Sequence, residues 1–163
     1  MMQVGRMKIL LETIPQIGKV EWIGIRPARR EALQVVKEII ADKNKGLEGE
    51  RFDGGMTKKR QVTLIQQEHI STVCSILKKD SIDPGLLRRN IVVSGINLLA
   101  LKDKKFRIGT AVFKGTGLCQ PCSRMEENLG PGGYNAMRGH GGITAKVIQS
   151  GRISVKDQVC FEA

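Results

Sequence analysis

The segment Cys119-Gln-Pro-Cys122 sets two thiols in a C-x-x-C pattern, and a thiolate is a strong soft nucleophile and metal ligand at neutral pH. Directly after it, Ser123-Arg-Met-Glu126 fits the capping-box pattern, in which a serine hydroxyl and a glutamate three residues on satisfy the first free N–H groups of a helix. The pattern predicts a short helix beginning at Ser123. Cys122 then sits one residue before the cap, near the positive end of the helix dipole and beside Arg124, and both features favour thiolate over thiol. Such a sulfur is a metal ligand or a nucleophile; the alternative is a half-buried structural thiol.

A structural zinc site needs four ligands, and C-x-x-C supplies two. His69 lies in a helical pattern, which leaves His140 as the loop histidine, so zinc is under-supplied. A thioredoxin-like pair belongs on a βαβ framework, which the surrounding β-rich sequence does not suggest. One soft transition metal on a thiolate, with its other positions filled by a cofactor, stays open. Downstream, Gly130-Pro-Gly-Gly133 and Gly139-His-Gly-Gly142 flank Tyr134-Asn-Ala-Met-Arg138. Glycines let successive N–H groups converge on an anion, and Arg138 adds a bidentate grip on phosphate; the alternative is two tight turns around one helical turn. Arg88-Arg89-Asn90, at the entrance to a strand, offers two guanidinium groups and an amide able to bond a heterocycle, or else a solvated strand end.

The elements that must position these groups are mostly strands. Lys19 to Ile25 alternates and ends at Pro27; Val62 to Ile65, Asn90 to Gly95, Phe106 to Gly109, Thr110 to Lys114, Ile143 to Ile148, Arg152 to Val155 and Gln158 to Phe161 are short β-rich runs between glycine or polar breaks. Ile70, Val73, Cys74 and Leu77 recur at helical spacing. Residues 33–41 fit a helix or a strand, because periodicity does not separate the two. The charged, glycine-containing run 43–60 reads as an exposed loop, and Asp83-Pro-Gly85 as a turn with glycine taking the positive backbone angle. Many short strands and few helices predict a mainly β fold, a barrel or sandwich rather than a parallel α/β sheet. Residues 1–18 read as an N-terminal extension and 19–163 as one domain, in keeping with a length of 163 residues.

Composition narrows the partners. Lys and Arg number 27 against 16 acidic residues, a net charge of +11, which draws anionic ligands by long-range field. A basic nucleic-acid-binding module is one reading of that excess. Only 4% of residues are aromatic, and no basic stretch interleaves with rings on which bases would stack, so most of the charge reads as solvated surface. Four cysteines are too few to staple a chain of this length; Cys74 and Cys160 read as small buried hydrophobes. No apolar run is long enough to span a bilayer and the first residues lack a signal-peptide pattern, so the expectation is an untargeted cytoplasmic protein with no membrane partner.

Three stretches in order, Leu87-Arg-Arg-Asn-Ile-Val-Val-Ser-Gly-Ile-Asn-Leu98, Gly117-Leu-Cys-Gln-Pro-Cys-Ser-Arg-Met125 and Ala136-Met-Arg-Gly-His-Gly-Gly-Ile-Thr-Ala145, resemble the MOSC domain, named from the C-terminal domain of molybdenum cofactor sulfurase. Gly46-Leu-Glu-Gly-Glu-Arg-Phe52 and Arg60-Gln-Val-Thr-Leu-Ile65 are similar to its upstream motifs. The resemblance spans about residues 19–162. It implies a mainly β, MOSC-type barrel with a few short helices and a cleft for the molybdenum cofactor, an anionic molybdenum-pterin. In that family a cysteine ligates molybdenum or carries a sulfane sulfur, and Cys122 occupies the matching position. Arg89 and Asn90, with Arg88 before them, are expected at the pocket wall. Arg124, Arg138 and the loop Gly139, His140, Gly141 and Gly142 are candidates for the cofactor's phosphate and pterin, and Cys119 either resolves a persulfide or packs.

Family sulfurases carry a separate pyridoxal-phosphate desulfurase domain, and amidoxime-reducing members an N-terminal β-barrel domain. A chain of 163 residues has room for neither. The resemblance therefore implies a stand-alone member that takes sulfur from a separate cysteine desulfurase or electrons from a transfer partner. It would bind the cofactor or carry sulfur on Cys122, or alternatively act as a molybdenum-dependent reductase of N-hydroxylated compounds.

Overall fold

The computed structural model describes residues 2–29, 31–51 and 54–163; Phe52, the last residue of one quoted motif, lies outside them. Seven strands close into a mixed barrel: β11 (Gln158–Glu162), β7 (Lys105–Ile108), β8 (Ala111–Leu118), β9 (Ile143–Gln149), β5 (Val62–Gln66), β6 (Ile91–Ser94) and β1 (Ile17–Ile25) follow one another, and β1 returns to β11. The closing register pairs Ile17 with Cys160 and Lys19 with Gln158. All barrel pairings are antiparallel except β5–β6. Closure removes the exposed sheet edge that invites mispairing.

Alternation decides what each face meets. On β6, Ile91 and Val93 enter the barrel core with Leu64, Phe106 and Phe113, while Val92 turns outward to a second cluster with Ile65, Val73, Leu87, Met125 and Met137. Strands β5 and β6 are thus covered on both faces, which explains their nearly unbroken apolar sequence and suits the one parallel pair. Phe106 and Phe113 stack across β7 and β8 with centroids 5.5 Å apart. The second cluster is roofed by α2 (Gln67–Leu77), α3 (Arg124–Leu129) and α4 (Gly133–Met137). The remaining helix, α1 (Met2–Glu12), precedes the barrel and leaves Met7, Ile9, Leu10 and Leu11 exposed.

Residues 33–41, open between helix and strand in the sequence, form β2 (Gln34–Val36) and β3 (Glu38–Asp42). Pairing with a distant segment settles it: β3 lies against β10 (Gly151–Ser154), Ile39 opposite Ile153 and Ala41 opposite Gly151. The run 43–60 is not wholly an exposed loop. Gly46 and Leu47 form β4 (Gly46–Leu47) against β3, and Leu47 is 1% exposed. Gly46 carries the chain through φ +82°, a left-handed conformation that glycine adopts without penalty. At 83–88 the structure differs again. Pro84–Leu87 is a 3-10 turn capped by the Asp83 carboxylate on the Gly85 N–H, and Arg88, not Gly85, takes the positive φ, at +59°.

Candidate functional site

The predicted capping box does not form. Ser123 has helical angles, φ −55° and ψ −24°, and its side chain bonds nothing as a cap. A hydroxyl reaches the third helical N–H from an extended residue, not from one already in the helix. Glu126, freed from the box, instead accepts from the N–H groups of Gly132 and Tyr134 at 3.1 and 3.2 Å, tying α3 to the start of α4. With six residues in α3 and no cap bond, the setting of Cys122 comes from elsewhere.

It comes from a cleft. Along 118–122 the chain leaves β8 with exposure alternating: Leu118 out, Cys119 in, Gln120 out, Pro121 in, Cys122 out. The period of two in extended chain gives the two thiols unlike roles. Cys119 is 4% exposed, and Cys122 is open to solvent. Both line a cavity of about 280 Å³ walled by Arg26, Arg60, Arg88, Arg89 and Asn90, with Glu50 as the carboxylate among its described lining residues. None of the four cysteines is in a disulfide; Cys74 and Cys160 are half-buried rather than fully enclosed.

Arg89 is the cavity's buried cation, 5% exposed. Its Nε–H donates to the Gly141 carbonyl at 2.8 Å, Nη1 to Leu87 at 2.9 Å and Nη2 to Cys119 at 3.4 Å. All three acceptors are neutral carbonyls, and among the described residues Arg89 makes no ion pair. One guanidinium therefore fastens the 3-10 turn, the cysteine segment and the glycine loop together while its charge keeps no carboxylate counter-ion. Asn90 is equally committed: its Oδ1 accepts from the Thr63 N–H and hydroxyl, and its Nδ2 donates to Gly24. It pins the parallel β5–β6 pair beside the cavity.

Arg88 extends from its left-handed backbone into the same space. A non-glycine residue held there carries strain that its surroundings must repay. Burial first, then the neighbouring guanidinium groups of Arg26, Arg124 and Arg89, depress its pKa, while Cys122 acts in the opposite direction. An excess of guanidinium groups over the Glu50 carboxylate, facing one sulfur, is the electrostatic character of the cleft.

Not every sequence candidate reaches it. Arg124 lines an adjoining basin, described below, that shares Arg26 and Arg88 with the cavity. Gly141 stands behind the wall: a Cβ there would collide with the Cys119 carbonyl oxygen and crowd Arg89 Nη2 at 3.2 Å. Gly142, at φ +86°, passes so close to Leu64 that a Cβ would strike its carbonyl. Arg138, Gly139 and His140 do not line either basin. Arg138 is exposed, with Nη1 3.5 Å from the Asn135 amide oxygen. His140 lies edge-on to His69, ring centroids 5.3 Å apart, its Nδ1 3.0 Å from the Ala136 carbonyl. The sequence did not single out Arg26 as a site residue, and it placed Glu50, Arg51, Arg60 and Gln120 only inside motifs, with no role. Arg26 sits at the end of β1 with its backbone N–H on Glu50 Oε2 at 2.6 Å, and the strand end before Pro27 was the available signal.

A closed mixed barrel carrying an exposed thiol in an arginine-walled cleft defines the class of protein. A sequence model of the MOSC domain matches residues 49–160, and the chain belongs to the MOSC domain family. Among solved structures, the YuaD protein from Bacillus subtilis is similar at 17% identity and TM-score 0.76, covering 90% of this chain and 97% of that one. YiiM from Geobacillus stearothermophilus is similar at 16% identity and TM-score 0.72, over 90% of this chain and 75% of that one. YiiM from Escherichia coli follows at 17% and 0.66, over 89% and 70%. At these identities the likeness is one of fold. No curated protein matches the chain. No helix among the described residues is long and apolar enough to cross a membrane.

Proposed function

We propose that this chain holds a molybdenum-pterin cofactor in the cleft before Cys122, with the Cys122 sulfur serving as the protein's ligand to the metal or as carrier of a sulfane sulfur destined for it. The observation that carries the reading is an exposed soft donor opening onto a cavity whose arginines outnumber its one described carboxylate, Glu50, and whose wall includes the buried Arg89 guanidinium, which makes no ion pair among the described residues.

The donor set suits that group. Among the described residues no three His, Cys, Asp or Glu side chains gather to hold a metal ion, so a metal on Cys122 would take its remaining ligands from the cofactor. Soft thiolate matches a soft or borderline transition metal, and family membership supports this one. Arg88, Arg89 and Arg26 would neutralise an anionic ligand. When bound, the cofactor would supply two-electron redox chemistry and a place for a terminal sulfur. The chain's own part is to present one sulfur to solvent, to hold its segment rigid through Arg89, and to keep positive charge around it. Transfer of sulfur onto Cys122 by a separate cysteine desulfurase, or of electrons by a partner, requires the same exposure.

Elemental analysis and pterin fluorescence on the protein purified from a host that makes the cofactor test the proposal. Molybdenum and pterin in near-equal amounts support it; protein free of both, from a host whose other molybdoproteins are loaded, contradicts it.

A further inference from the structure

Beside the Cys122 cavity lies a second basin of about 420 Å³, into which Arg26, Arg29, Arg51, Arg88 and Arg124 face, with Glu31 the one carboxylate among its described lining residues. The two basins share Arg26 and Arg88, so they form one trough, with the thiol at one end and the arginine cluster at the other. Among the described residues Arg88 and Arg124 make no ion pair. Ordinary solvated surface mixes charges of both signs; here several unneutralised guanidinium groups share a concave space, where a low-dielectric wall strengthens their mutual repulsion.

The remedy is an anion, and its charge can be bounded. A phosphate monoester brings about −1.5 to −2 at neutral pH, short of the excess in the trough, where among the described residues Arg26, Arg29, Arg51, Arg60, Arg88, Arg89 and Arg124 face the carboxylates Glu31 and Glu50. The basin is also too large for one phosphate: its volume falls within the roughly 300 to 1,000 Å³ that enclose whole small-molecule ligands. Guanidinium is the group of choice for bidentate phosphate contacts, and arginines on separate segments, the stretch after β1, the turn before β6, α3 and the segment after β4, can clasp more than one phosphate at once.

We infer that the arginine basin takes a terminal diphosphate or longer polyphosphate group of a small-molecule ligand, whose other end lies in the Cys122 cavity. The ligand class is a phosphorylated heterocycle with at least two consecutive phosphates. What lies over Cys122 depends on the cleft being a cofactor site; the polyphosphate preference of the basin does not.

Calorimetric titration of the full chain at 150 mM salt (~8 Å screening length) with inorganic pyrophosphate and with inorganic phosphate tests this. Pyrophosphate should bind at least tenfold more tightly than phosphate, and the double variant Arg51→Ser, Arg124→Ser should lose at least tenfold of that affinity with an unchanged circular dichroism spectrum. Cys74→Ser, which lies outside both basins, should bind pyrophosphate as the wild type does. Adenosine diphosphate in place of pyrophosphate should bind in the same range. Equal affinity for phosphate and pyrophosphate, or pyrophosphate binding that survives the double substitution, overturns the inference, as does arginine-dependent binding of a DNA duplex with none of pyrophosphate. Failure of the cofactor proposal would appear separately, as protein without molybdenum that still prefers pyrophosphate.

Discussion

The Arg89 Nε–H donates to the Gly141 carbonyl oxygen at 2.8 Å across a buried contact between segments 52 residues apart. The bond holds the glycine loop against the cysteine segment, because the same guanidinium reaches Cys119. Arg89→Ala would leave three carbonyls without their donor, and each buried unsatisfied polar group costs about 1 to 3 kcal/mol. The expected loss is on the order of 3 kcal/mol in urea unfolding. Arg89→Lys should recover only part, since one ammonium cannot reproduce a planar fork. A loss below about 0.5 kcal/mol for Arg89→Ala, the range of an ordinary surface substitution, would contradict the role assigned to it.

Gly141 gives a companion test. A side chain there would collide with the Cys119 carbonyl, so Gly141→Ala must push the two segments apart. Destabilisation in the range of overpacking, about 1 to 3 kcal/mol, is expected, together with faster modification of Cys119 by a thiol reagent. Unchanged stability would mean that the segments do not touch as described.

The two thiols should react at different rates. Iodoacetamide labelling of the native chain followed by mass spectrometry should modify Cys122, which is exposed, well before Cys119, which is 4% exposed. In denaturant the difference should vanish. Labelling of Cys119 ahead of Cys122 in the native state would reverse the assignment of the open sulfur.

Much of the barrel is legible in the sequence because strands covered on one face alternate, and because Ile91, Val92 and Val93, covered on both, form a continuous apolar run. Residues 33–41 are not legible, since what makes Ile39 and Ala41 a strand is β10, more than a hundred residues away. Ser123 misleads for a local reason: the motif is present, but the backbone already turns helical at the serine. In the site, Cys119, Cys122, Arg88, Arg89 and Asn90 come to one cavity, while Arg26 enters from outside every quoted motif and Arg51 stands in a quoted motif that gives it no role. Gly142 marks a tight backbone passage and Gly139 a left-handed turn in open space, φ +86° and +81°, and nothing local separates either from anion binding.

The failed cap yields a paired prediction. Ser123 makes no side-chain cap bond, so Ser123→Ala should change stability by less than about 0.5 kcal/mol, against roughly 1 kcal/mol for loss of a working cap. Glu126 accepts from Gly132 and Tyr134, and Glu126→Ala should cost about 1 kcal/mol at this exposed position. Denaturant unfolding of both variants decides; the opposite order would restore the capping box.

Stability should also fall on the acid side of neutrality. Burial first, and His140 second, depress the pKa of His69 below its ordinary value, with Glu68 opposing. The Nδ1 of His69 is buried without a partner among the described residues. The unfolded chain takes up a proton near pH 6.5 that the folded chain resists, so this contribution is complete above that pH and declines as pH drops through it. Urea midpoints at pH 7.5 and 5.5 should differ, and His69→Phe should reduce the difference. A midpoint rising toward pH 5.5 would contradict the sign.

The central claim is that the Cys122 sulfur meets the metal, and molybdenum per chain in Cys122→Ser, measured beside Cys74→Ser from the same cofactor-producing host, tests it most directly. Cys122→Ser should lose most of its molybdenum while Cys74→Ser matches the wild type; full molybdenum occupancy in Cys122→Ser would contradict the account.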